Sequence, residues 1–381
     1  MARTSALASP IQVWARISAR TPRLEPEQID EVRFDEARWR ADSGPGLAEV
    51  LITLALRALE ATPPGVSRMD APSPASALVT LRELNEPDAT LVAAANDILL
   101  AARDPQARLV VQRTIGAILD LWLQPVPRRW TSRQAAQAAY TFALGLGLLL
   151  ASQGKRPAAT ARDRQLRPRI EALQARTPGR TLPEVQSPHW ETPVFGVAEA
   201  QRGRLLLASF DTIATRGYEA VHVDAIARQA GVPLALAHTW YATDRLLLMD
   251  TMRRVQHQGF LANEDVQARL IAGFGPGITE AVMIREFMRP GRENQRACAL
   301  ELLRLCWADA DQMRETEAEL SGLAKGSRRS PTDAEAFIYV DWALGLGVIA
   351  LAVIAPNAWR LPFDVVTVPL LDEPITASST A

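Results

Sequence analysis

Cysteine is scarce in this chain, at two residues in 381, and histidine is little commoner at four. Cys298 and Cys306 lie eight apart on a predicted helix. They read as buried thiols of a reducing compartment and exclude a disulfide framework. Neither they nor His189, His222, His238 and His257 fall into a metal-ligand spacing, so no metal and no cofactor enters the reading. An excess of charge of one sign is missing as well. The net charge is −1, so nucleic-acid binding would need a local patch rather than bulk attraction. Long apolar runs are missing too. Trp342 to Ala355 has 14 residues, short for a bilayer span, and reads as the buried centre of a helical bundle. With no signal-peptide pattern at the N-terminus, a cytoplasmic location without membrane contact is expected. The sequence also lacks G-x-S-x-G, a Walker loop and a dinucleotide fingerprint, and no acid–base pair stands out. The expectation is a binding protein and not an enzyme.

What is present is a dense run of helix signals from Arg204 to Leu248. A helix-period apolar run through Leu206, Phe210 and Ile213 ends at Gly217. A short helix from Val223 to Ala230 ends at Gly231, a second starts at Pro233, and a longer one follows near Asp244. Gly217 and Gly231 stand where a chain leaves a helix with positive φ. Pro233 suits a first helical turn, where its missing N–H costs nothing. Ile226, Ala227 and Ala230 recur at helical spacing and can pack on the first helix. Helix, tight turn, helix is the arrangement that lays one helix in a DNA major groove.

The residues Arg204, Ala208, Gly217-Tyr218, Val223, Ile226-Ala227, Ala230-Gly231-Val232, Tyr241 and Leu247 resemble, in order and spacing, the DNA-binding module of TetR-type regulators. The resemblance covers about 45 residues. It implies an all-helical regulator with a helix-turn-helix, a helical ligand and dimer domain, and repression of transcription. The DNA-contacting candidates it implies are Arg204, His222, Leu234, Ala235, Leu236, His238, Thr239, Trp240, Tyr241 and Arg245. Several positions depart from the family. His238 stands where a Tyr is more usual, Trp240 where a His is, and Tyr241 replaces a Phe. Asp244 takes the place of a phosphate-facing Lys, and Val221 that of a Thr or Ser. Pro233 to Tyr241 carries no Arg, Lys, Asn or Gln, the side chains suited to bidentate base contacts. From Arg202 to Arg254 seven Arg face Asp211, Glu219, Asp224, Asp244 and Asp250, a weak balance for phosphate contacts. A second basic stretch, Lys155 to Arg180, reads as a solvated linker or helix face, or more sharply as an arm for DNA phosphates.

The chain also contains a repeat. Gly44-Pro45-Gly46-Leu47-Ala48-Glu49 resembles Gly275-Pro276-Gly277-Ile278-Thr279-Glu280, and Ala-Leu-Gly-Leu-Gly occurs at 143–147 and again at 343–347. Between these landmarks, Asp104-Pro105 and Glu293-Asn294 each precede an amphipathic helix. The expected fold is all-α: a helix-turn-helix module plus two related helical-bundle domains for ligand binding and dimerisation. The expected limits are 1–180 for a bundle lacking its own helix-turn-helix, 181–196 for a linker, 197–248 for the DNA-binding module and 249–381 for the second bundle. The Ala-Leu-Gly-Leu-Gly helices are candidates for a four-helix interface, paired inside one chain as a pseudo-dimer or between chains as a homodimer. Trp122, Trp307, Trp342, Met283, Met288 and Phe287 are candidates for lining a pocket for a small apolar effector. Phe363 to Leu371 reads as an extended tail. The functional expectation is a repressor of double-stranded operator DNA, relieved by that effector. The alternative is a ligand- or partner-binding protein whose helix-turn-helix no longer binds DNA.

Overall fold

The computed structural model describes residues 39, 44–59, 74–116, 131–173, 181–185, 199–325 and 330–371. Every regular element among them is helical. The first half carries α1 (Gly44–Leu59), α2 (Pro74–Leu84), α3 (Ala89–Ala101), α4 (Pro105–Val111), α5 (Ser132–Ala151) and α6 (Ala159–Ala172). Then come α7 (Ala200–Arg216), α8 (Val223–Ala230), α9 (Leu234–Trp240) and the long α10 (Asp244–Phe274). The second half continues with α11 (Pro276–Met288), α12 (Glu293–Ala308), α13 (Ala310–Lys325), α14 (Pro331–Ile354) and α15 (Asp364–Leu371).

The helix starts are set by local chemistry. Thr131 and Gln134 form a reciprocal capping box on α5. Asp88 caps α3, Asp104 caps α4 with Pro105 in its first turn, and Thr243 caps α10. At the other end of α8, Gly231 is left-handed (φ 63°), and the Gly231 and Val232 N–H groups return to the carbonyls of Arg228 and Ala227. This closes the helix in a Schellman turn.

The centre of the molecule is the crossing of α5 and α14. Its geometry is reciprocal about the repeated motif. A Cβ placed on Gly147 would lie 1.7 Å from the Ala343 carbonyl oxygen, and one on Gly347 1.7 Å from that of Ala143. The two backbones touch, and only glycine permits it. The flanking helices exchange in the same sense: α6, which follows α5, packs on α14, and α15, which follows α14, packs on α5. One contiguous apolar core runs from Trp39 through α5 and α14 to Val366, so residues of both expected bundles share a single interior. The copies are not equivalent beyond the crossing. Gly145 faces Leu51, Leu54 and Leu84, whereas the space at Gly345 is open.

Two expectations are corrected by the packing. Phe363 to Leu371 is not extended: Asp364–Leu371 is helical, with Val365, Val366 and Val368 buried and the Thr367 hydroxyl donating to the Gly277 carbonyl at 2.7 Å. Burial against α11 outweighs the strand preference of Val and Thr. The basic stretch is solvated only in part: Lys155, Arg156, Arg164 and Arg167 are exposed, but two of its arginines turn inward. Arg162 and Arg169 are buried, Arg164 pairs with Asp333 at 2.7 Å, and Arg169 pairs with Asp341. Arg169 thus lies inside the seam between α6 and α14, while Arg164 spans its exposed rim and Arg162 faces Glu86 at 3.7 Å. Arg176 and Arg180 lie outside the described residues, as does Trp122.

By length and composition α5 and α14 could each cross a membrane, but 94% and 61% of their most apolar windows are buried within the fold.

Candidate nucleic-acid interface

Helices α7, α8 and α9 and the start of α10 enclose a core of their own. It contains Leu205, Leu206, Phe210, Ile213, Tyr218, Val223, Ile226, Ala227, Ala237, Tyr241 and Leu247. Burying this many aliphatic and aromatic side chains, at about 25 cal/mol per Å² of apolar area, fixes α9 on the outside of the unit. Cys298 and Leu305 of α12 join the same core, so the unit is seated on the second half of the chain. Burial drives the Cys298 thiol well above the ordinary thiol range, and the nearby Glu301 carboxylate adds to the effect, which keeps it neutral and unreactive.

The outward side of α9 presents Leu234, Ala235, His238 and Thr239, with Leu236 and Trp240 half-buried at its edges. Leu234 is 45% exposed, and Leu246, one turn into α10, is 52% exposed. Tyr241 does not belong to this surface. It is buried, its phenol O–H donates to Asp250 Oδ2 at 2.6 Å, and Arg202 Nε donates to its oxygen at 3.0 Å. Burial first, and the bond to Asp250 second, push its pKa up to about 12. Tyr241 is a tie across the unit and not a base reader.

The polar candidates are engaged with the protein itself. His222 Nδ1 lies 2.9 Å from Asp244 Oδ2, and Asp244 Oδ1 accepts the Val223 N–H at 2.7 Å. Burial pushes the Asp244 carboxyl up, but the bonds from His222 and Val223 outweigh it and leave it below the ordinary value. So the residue standing where a phosphate-facing Lys is usual closes the N-terminus of α8 instead. His238 Nε2 lies 2.9 Å from Asp224 Oδ1. Arg245 pairs with Asp309 at the start of α13, and this bond from Arg245 holds the Asp309 carboxyl low. Arg204 Nε donates to the Ala230 carbonyl at 3.3 Å, capping the end of α8. Most of these groups are more than 40% exposed, where an ion pair contributes about 0–1 kcal/mol. A phosphate could displace either histidine from its partner, but the carboxylate would remain beside it.

The described pocket candidates do not line one cavity; Met288 and Trp307 belong to the main core, with Phe287 and Trp342 packed against it. Met283 packs with Val266, Leu270, Ile278, Val282 and Val368 in a cluster between α10, α11 and α15, with Phe287 at its edge. Trp307 is buried in the main core and its indole nitrogen has no hydrogen-bond partner. Trp342 is half-buried edge-on to Tyr339, with ring centroids 6.3 Å apart. A groove between α13 and α14, lined by Glu317, Leu320, Ile338 and Tyr339, holds about 50 Å³, room for a few waters. None of the described pocket candidates lines it. Among the described residues no group of His, Cys, Asp and Glu is placed to hold a metal.

Sequence reasoning missed a partly buried charge cluster at the seam, in which only Arg169 and Tyr140 are fully inside. Arg169 of α6 faces Asp341 of α14, Glu280 of α11 and Tyr140 of α5. Burial, then repulsion from Asp341, push the Glu280 carboxyl up to about 7, and Arg169 opposes the shift. The signal in the sequence was an aspartate inside an otherwise apolar helix, Asp341 before Trp342. Comparison of the sequence with known protein families and with curated proteins finds no match.

Proposed function

We propose that this chain is a one-headed DNA-binding regulator of TetR type, with α8 and α9 as the helix-turn-helix and α9 as the recognition helix. The observation that supports this reading is the outward standing of α9, with Leu234, Ala235, His238 and Thr239 exposed on a three-helix unit seated on α12. Apolar contacts from Leu234 and Ala235 suit thymine methyls, and His238 and Thr239 can reach base edges once α9 enters the major groove. Because the Ala-Leu-Gly-Leu-Gly helices are paired inside one chain, we take the active species to be a cytoplasmic monomeric pseudo-dimer with a single head. Repression would be relieved by a small apolar effector held in the helical body. Relief requires that the effector bind the released state more tightly than the DNA-bound one.

The second reading, a partner- or ligand-binding protein whose helix-turn-helix no longer binds DNA, is favoured by the pairing of His222, His238 and Arg245 with carboxylates. Fluorescence anisotropy with the duplex flanking the protein's own gene, across a salt series, separates the two. The regulator reading expects binding that exceeds unrelated duplex, weakens steeply with salt, and is lost in the His238→Ala, Trp240→Ala double variant. Equal weak binding to every duplex, or wild-type affinity in the double variant, would establish the second.

A further inference from the structure

The three-helix unit is tied to the N-terminal half through a compact ionic junction. Arg103 stands in the turn between α3 and α4. That turn is rigid, since Asp104 caps α4 and Arg108 donates from Nε to the Ala101 carbonyl at 2.9 Å and from its terminal nitrogen to Ala102. From it Arg103 reaches across to the corner that follows α7. Its guanidinium donates to the Arg216 carbonyl and to Glu219 Oε2 at 3.3 Å, and its Nε lies 3.1 Å from Glu301 Oε1 of α12. Glu301 is fully buried, accepts the Tyr218 N–H at 3.2 Å, and pairs with the buried Arg304 at 3.0 Å. Arg304 in turn pairs with Glu219 and lies over the Tyr218 ring, 4.4 Å from its centroid. Two arginines balance two glutamates, so no buried charge is left over, which is the condition for such a cluster to hold.

Gly217 completes the fit. Its φ of 91° favours glycine, and a Cβ there would lie 1.5 Å from the Arg103 guanidinium. The corner is therefore shaped to receive a side chain supplied from more than a hundred residues earlier in the sequence.

We propose that Arg103 is a latch by which the N-terminal half fixes the Gly217–Val221 corner, and with it α8 and α9, on the body. Open, the latch leaves the corner held by α12 and by the core of its own unit. Its regulatory meaning rests on the head reading given above, but the contact is tested without DNA.

The test is hydrogen–deuterium exchange on the full chain, following the Tyr218, Ala220 and Val221 amides, which bond to Glu301, Gly217 and Tyr218, with Tyr140–Leu150 in α5 as the reference. Arg103→Met should speed exchange at the corner by at least about tenfold while leaving α5 unchanged, the mark of a local opening. Arg103→Lys, a point charge that cannot bridge three acceptors, should fall between. Glu219→Gln should loosen the same amides, and the double variant should add little beyond either change, because both act on one junction. Unchanged exchange at the corner in Arg103→Met overturns the latch. So does equal acceleration in α5, which makes Arg103 a general support, and so does full additivity with Glu219→Gln. Failure of duplex binding in the anisotropy experiment leaves these outcomes untouched.

Discussion

Replacing Gly147 by alanine tests the central crossing directly. The new methyl would sit 1.7 Å from the Ala343 carbonyl oxygen and 2.5 Å from its carbon. Both are backbone atoms, so no rotamer change relieves the clash and α5 must retreat from α14 by more than an ångström. Overpacking of this kind costs about 1–3 kcal/mol. The rigidity of the obstacle places it at the upper end, partly offset by the roughly 1 kcal/mol alanine gains over glycine inside a helix. A net loss of about 2 kcal/mol is expected. Gly345→Ala is the control, because it sits in the same helical motif with open space at its Cβ and should gain up to about 1 kcal/mol. Urea unfolding followed by far-UV circular dichroism reads the difference, about 3 kcal/mol between the two variants. Gly347→Ala should match Gly147→Ala, and the pair together should cost less than the sum because one contact is broken twice. Equal midpoints for the Gly147 and Gly345 variants, or a Gly147→Ala protein more stable than wild type, would refute a backbone-to-backbone crossing.

Tyr241→Phe removes a phenol bonded to Asp250 and Arg202. It should cost about 1–2 kcal/mol of stability yet leave binding by the outer face of α9 unchanged; a thermal melt beside an anisotropy titration shows both. Glu280 binds a proton more tightly in the fold than in the open chain, with its value moved from 4.5 to about 7. The folded state therefore holds more protons, so this contribution is present below pH ~4.5 and is lost as pH rises toward 7, by at most about 3 kcal/mol. Glu280→Gln should flatten that slope in a urea series over the same pH range, and an unchanged slope would remove Glu280 as its source. Asp244→Lys deletes the acceptor of the Val223 N–H, at about 1 kcal/mol in stability. It also takes an anion off the face and adds a cation, so binding to unrelated duplex should strengthen and its salt dependence steepen by about one contact. Salt dependence unchanged from wild type would mean that position 244 does not face phosphate.

Local chemistry was readable from the sequence wherever one residue decides the outcome. Gly217 and Gly231 end α7 and α8 with positive φ, Asp104 caps α4, and the paired Ala-Leu-Gly-Leu-Gly motifs predict a close helix contact. What was not readable depends on partners far apart in the chain. Arg164 and Arg169 of α6 read as part of a solvated or DNA-facing stretch until Asp333 and Asp341, some 170 residues later, come to lie against them. Tyr241 follows the exposed helix α9 directly and so resembles a surface residue in the sequence, but its phenol turns inward to Asp250. The tail fails for the opposite reason. Val365, Val366, Thr367 and Val368 carry a genuine strand preference, which the burial of all four and the bond from Thr367 to Gly277 override.

A symmetric homodimer repeats every substitution across its axis, so a charge introduced on one side must be accommodated on both. Here the two central helices are encoded separately and meet within one chain. Asp341, two residues before the second Ala-Leu-Gly-Leu-Gly motif, carries the charge that Arg169 answers. Its counterpart before the first motif is Thr141, whose hydroxyl simply returns to the Gln137 carbonyl. At this position one side of the seam thus carries an ion pair and the other a hydroxyl bonded to its own helix, an imbalance that subunits related by a two-fold axis cannot adopt. Encoding the interface twice frees each face to drift alone, and the Gly145 and Gly345 environments, one filled and one open, are the visible record of that freedom.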